Sequence, residues 1–292
     1  IYGDLSLVLT ADKYINKSSA ITAGTILTLN SIVENDGNIL GEKVAFTGLK
    51  IKNTGSITGE NTLHITSDLN NSGTVQGKNL ISIIGNIDNS QNIKSEKVLN
   101  ISGNVINTGY IYGESTDIIG NITNSGNILA LLNMKISGNI INNKNLNSGD
   151  KLILLSNNIL NNDRISALDI LTTGVKLVNN GMITGEKGIF NIDNIENSGT
   201  LYGKNTLSIT GNNLINNKLI QGSKDLYISS QNIENKDDLF AGNNISLIAI
   251  SLDNTGRIVG DGNLTFNTVN SFINSNLIQG NNIKITGIDN SG

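Results

Sequence analysis

Asn53-Thr-Gly55-Ser-Ile57-Thr-Gly59-Glu-Asn-Thr-Leu63-His-Ile65-Thr-Ser-Asp-Leu69-Asn-Asn71 is one complete unit of a repeat. Counted from its first Asn, apolar residues stand at +4, +10, +12 and +16, and Gly at +2 and +6. The stretch from Asn197 repeats this with Gly199, Leu201, Gly203, Leu207, Ile209 and, one residue late, Leu214. The leading Asn recurs at Asn16, Asn35, Asn53, Asn71, Asn89, Asn107, Asn124, Asn142, Asn161, Asn179, Asn197, Asn216, Asn235, Asn254, Asn274 and Asn290, in steps of 16 to 20 residues, mostly 18 or 19. A fixed short period along a whole chain means one supersecondary unit stacked many times.

The even-numbered apolar spacing is that of β-strands, whose alternate side chains face one side. Asn and Gly punctuate every copy where a strand would turn. Helical solenoids need longer repeats and a 3.6 periodicity, and the Leu-x-x-Leu-x-Leu order of leucine-rich repeats is missing. The pattern predicts an all-β chain: a right-handed parallel β-helix of about 15 coils, 18–19 residues each, rising ~4.8 Å per coil. Residues 1–292 read as a single repeat domain, because no change of composition marks a linker. The chain opens and closes within a coil: Ile1-Tyr-Gly3 matches Ile111-Tyr-Gly113, and Asn290-Ser-Gly292 begins another copy. The expectation is a piece of a longer array, with caps or further coils beyond it.

Composition narrows the function classes. A net charge of −4 and a pI near 5.0 give no basic stripe for nucleic acid. Cysteine is absent, so disulfides and thiolate metal sites are excluded. No apolar run approaches the roughly 20 residues of a membrane-spanning helix. The single His64 lies between Leu63 and Ile65 and should point outward, while Arg164 and Arg257 stand five coils apart. Polysaccharide-cleaving β-helices need carboxylates and bases gathered on one bond, and no such set can be assembled. The chain does not read as an enzyme, and no cofactor or metal is implied.

Stacking turns each offset into a column. Asn fills its column at all sixteen positions, which predicts a structural ladder of side-chain amides bonded coil to coil at a turn. The alternative is a turn former with its amide in water. The +2 column admits charge, so it is an outward turn; Lys144 with Asp163, and Lys218 with Asp237, are expected to pair across adjacent coils. The +7 column carries Glu42, Glu60, Glu96, Glu114, Glu186 and Asp261, which read as a solvated turn more readily than as a cation site.

Between residues 127 and 175 the pattern loosens. The +6 Gly becomes Ala130, Ser148 and Ala167, and the polar +7 becomes Leu131 and Leu168, near Leu152-Ile-Leu-Leu155. These leucines are candidate partner contacts if exposed; a local change of path that tucks them inward is the favoured alternative. Tyr110 and Tyr112 share one coil at odd offsets and could stack on a sugar or partner, or be ordinary cross-strand neighbours.

The unit Asn-x-Gly-x-Ile-x-Gly-x-x-x-Leu-x-Ile, as at Asn53 to Ile65, resembles the haemagglutinin repeats of filamentous haemagglutinin-type exoproteins over essentially the whole chain. These include adhesins and contact-dependent growth-inhibition proteins secreted by two-partner systems. The resemblance implies export through an outer-membrane transporter and a place, secreted or displayed, at a Gram-negative cell surface. It implies a stalk that holds an adhesive or toxic tip away from the cell. A rod that itself docks a cell-surface receptor or glycan is the second reading, and a carbohydrate-active enzyme a distant third.

Overall fold

The computed structural model describes residues 1–287. Asn290 and Gly292 lie outside the described residues. Among the described residues there is no helix; the chain is a parallel β-solenoid of about 16 turns with stacked coils of roughly 18 residues. It divides into two compact units, residues 1–138 with 143–149, and residues 139–142 with 150 onward.

In each unit like positions stack in register. In the first, Leu29, Phe46, Ile65, Ile83, Ile101, Ile118 and Ile136 form one buried file. In the second, Leu154, Thr172, Phe190, Ile209, Ile228, Leu247 and Phe266 form another. Each coil has three inward-facing segments, as in Ile57 and Gly59, then Leu63 and Ile65, then Leu69 and Asn71. Alternation puts +4, +10, +12 and +16 inside, where burial of each aliphatic side chain contributes ~1.5–3 kcal/mol.

The repeat is not uniform at the bend before the third segment. Between Leu80 and Ser137 the strand breaks there, giving pairs such as Leu80–Ile84 with Ile87–Asn89 and Val98–Ser102 with Val105–Asn107. In the second unit the strand runs through the bend, as in Met182–Asn197 and Thr200–Asn216. The broken coils place Gly85, Gly103, Gly120 and Gly138 at the bend with φ near +150°. Side chains rarely adopt that backbone, and there is no room for one: a Cβ at Gly103 would lie 2.1 Å from the Gly85 carbonyl oxygen.

Two expectations need correction. Leu131 and Leu168 do not tuck inward; they are 56% and 47% exposed. The path at +6 is retained by Ala130, which stays buried, so strict alternation sends Leu131 out. In the Leu152–Leu155 run the same alternation buries Leu152 and Leu154 and exposes Leu155. The second correction concerns charge. Lys218 and Asp237 form no ion pair; the contact near that turn is Arg257 with Asp238, one residue further on.

Candidate functional site: inner amide row and outer columns

The Asn side chains point into the solenoid because each ends the third segment in an inward position. Asn35, Asn53, Asn71, Asn89, Asn107 and Asn124 are fully buried in the first unit. Asn142, Asn161, Asn179, Asn197, Asn216, Asn235 and Asn254 are fully buried in the second. Each Asn for which the bond is described donates from Nδ2 to Oδ1 of the Asn one coil later. In the first unit this runs from Asn16 through Asn35, Asn53, Asn71 and Asn89 to Asn107 and Asn124, at 2.7–2.8 Å. In the second it runs from Asn142 through Asn161, Asn179, Asn197, Asn216 and Asn235 to Asn254 and Asn274, at 2.7–2.9 Å.

The other amide hydrogen reaches backbone carbonyls: Asn53 Nδ2 donates to Gly55 O and Thr74 O. A buried amide with every donor engaged avoids the ~1–3 kcal/mol penalty of an orphan group. After Asn35, Asn53, Asn71 and the described row Asn residues that follow, the bend itself falls on the next two residues, and no described non-glycine residue has positive φ. The Asn is thus a strand-ending residue rather than a turn residue.

The oxygen-facing end of the row is closed by hydroxyls. Asn16 Oδ1 accepts from Thr22 Oγ1 at 3.2 Å, and the Tyr14 hydroxyl, 3.5 Å from the same oxygen, donates to Thr22 Oγ1. Thr22 aligns with Ile39, and Tyr14 with Val33, so both replace apolar core residues of the next coil. Other buried hydroxyls have no partner: Thr116, Ser166, Thr172 and Thr268. Thr116 stands between Leu99 and Met134 in an apolar file.

Outside, the sequence-predicted residues are scattered. Tyr110 and Tyr112 stack with parallel rings 6.1 Å apart, and Lys94 Nζ sits 5.9 Å from the Tyr112 ring. Partial burial, and then Tyr112, push the Tyr110 hydroxyl above its ordinary value. Leu131 and Leu168 belong to different compact units. Leu131 is flanked by the exposed Leu132. Glu186 pairs with Lys204 at 3.0 Å and raises the lysine's pKa by hydrogen bond and charge. Asp238 grips Arg257 through two bonds, 2.7 Å to Nε and 2.6 Å to Nη2. Glu42, Glu60 and Glu96 line one shallow depression of about 590 Å³ beside Lys78. Among the described residues no three His, Cys, Asp or Glu side chains gather as a metal site would require. No helix of the described residues is long and apolar enough to cross a membrane.

One column escaped the sequence reading. At the bend before the third segment, at offset +13 or +14, stand Ser67, Gly85, Gly103, Gly120 and Gly138. The second unit has Ser156, Gly174, Ile192, Gly211, Ser230 and Ala249 there. The residue after it forms a row of its own in the first unit. Asp68 Oδ1 accepts the Asn86 backbone N–H at 2.8 Å, Asn86 Oδ1 that of Asn104 at 3.1 Å, and Asn104 Oδ1 that of Asn121 at 3.0 Å. The recurrent Gly-Asn dipeptide at 85–86, 103–104, 120–121 and 138–139 was the signal for it.

No family model, curated protein or solved structure matches this chain.

Proposed function

We propose that the chain is a length of structural shaft from a large filamentous exoprotein of the haemagglutinin-repeat type. On this reading it leaves the cell through an outer-membrane transporter. It then holds an adhesive or toxic tip away from a Gram-negative surface. The observation that carries the reading is the buried amide row. In each unit it adds a second hydrogen-bonded file to the backbone ladders, at a position that could otherwise have lined a pocket. Such a row makes whole coils interchangeable and serves length rather than chemistry.

The test is to excise two complete coils, residues 197–234, from the full-length exoprotein displayed on cells. A shaft should fold, lose about two strand spacings of length (~10 Å) in electron microscopy, and keep tip activity. Loss of tip activity from a folded, displayed protein would overturn the stalk. A second reading, in which the rod itself docks a receptor, rests on the exposed neighbours Leu131 and Leu132. Leu131→Ser should then abolish cell binding while leaving the thermal unfolding midpoint unchanged; a shaft keeps its binding.

A further inference from the structure

The Gly-Asn bends of the first unit border a groove of about 430 Å³ that spans four coils. One wall is the row Asp68, Asn86, Asn104; the other carries Asp88 and Ile106, the latter 53% exposed, and Lys50 stands at one end. What distinguishes the groove from a chance furrow is that its polar groups are held in orientation. Each Oδ1 in the row is taken by a backbone N–H of the next coil. The side chains therefore cannot rotate freely. The Nδ2 groups of Asn86 and Asn104 have no partner among the described residues, and they repeat at the coil spacing. Opposite them Asp88 supplies a carboxylate acceptor and Ile106 an apolar surface, while Asp68 adds a second carboxylate at the end of their own row.

We propose that this groove binds a linear, uncharged polyhydroxylated chain, a neutral glycan, lying along the stacking direction. Hydroxyl groups both donate and accept, which suits a groove that offers amide donors and carboxylate acceptors together. Ile106 offers a face for sugar C–H groups. The two carboxylates disfavour phosphate or sulfate polymers at this spacing. Fixed donors lower the ordering cost of binding, which allows a shallow groove to hold a ligand.

The same column specifies a mild variant. Asp68 already occupies the row and makes the same backbone bond, so Asn86→Asp with Asn104→Asp keeps the acceptors and removes the donors. The whole chain would be titrated with cello- and chito-oligosaccharides while side-chain amide signals are followed by NMR. The expected result is that the Asn86 and Asn104 Nδ2–H signals shift, and that the double variant binds about tenfold or more weakly. A control pair, Asn212→Asp with Gln231→Glu, adds equal charge in the other unit and should leave binding unchanged. Unmoved Asn86 and Asn104 signals with every oligomer would overturn the proposal, and the wild-type titration decides this even if the variant loses its fold. Undiminished binding by a folded double variant, or stronger binding of heparin than of the neutral oligomers, would overturn it as well.

Discussion

The coils from Leu80 to Ser137 and those from Met182 to Asn254 show the same inner pattern and each carry an amide row, yet they turn their last bend differently. The first group breaks the strand at glycines with φ near +150°. The second carries the strand through, over Ile192, Gly211, Ser230 and Ala249. Glycine alone does not make the difference, since Gly174 and Gly211 take no positive φ. Gly211 lies against the Ile192 carbonyl on one side and aligns with Ser230 on the other, so it follows neighbours with ordinary strand geometry. Gly103 lies between Gly85 and Gly120 and can share their path. Bend geometry is a property of the file, decided by consecutive coils together. Serine bends satisfy the backbone differently, with Ser156 Oγ donating to Asn158 O and Ser230 Oγ to Asn232 O.

The largest expected effect tests what the regions share. Asn89→Ala in the broken coils and Asn216→Ala in the continuous ones each orphan the amide groups above and below. At ~1–3 kcal/mol per orphan, both should lose about 2–6 kcal/mol in urea unfolding. A cost confined to one region would mean that the row matters only there. Next comes the feature that separates them. Gly103→Ala forces a side chain into a glycine-only conformation and against a carbonyl, and should cost about 3 kcal/mol or more. Ser230→Gly removes one hydroxyl bond and adds chain freedom, about 1–2 kcal/mol. Equal losses would erase the distinction between the two bends. The smallest effect is a gain: Thr116→Val and Thr172→Val remove orphan hydroxyls at nearly constant shape. Each should stabilise by roughly 1 kcal/mol, read as a higher urea midpoint at unchanged slope.

How far the fold was legible follows from the same contrast. The Asn period and the even apolar offsets sufficed for a parallel solenoid, because an inward position must be filled in every coil. The bend column stayed hidden for two reasons. Its members are unlike one another, mostly small as in Ser67, Gly85 and Ala249 but including Ile192, and its offset drifts by one residue against the Asn. Nothing in composition distinguishes Gly103 from Gly211; only the stacking of neighbours does. The displaced ion pair has a similar origin, since Asp237 and Asp238 are adjacent and a one-residue difference selects the opposite face. Thr22 and Tyr14 take the places of apolar core residues, and each brings a hydroxyl to Asn16, a role that no column offset reveals.

Within each unit the amide row has a direction, since each described bond passes a hydrogen from one Asn to the Asn of the coil that follows. A duplicated or excised whole coil therefore rejoins donor to acceptor without a mismatch. A partial coil leaves one unpaired group on each side of the junction. Recombination between repeats is tolerated in multiples of one Asn interval and penalised otherwise. The amide row thus sets a reading frame for the stack, in which a change of length by whole Asn intervals keeps every donor facing an acceptor.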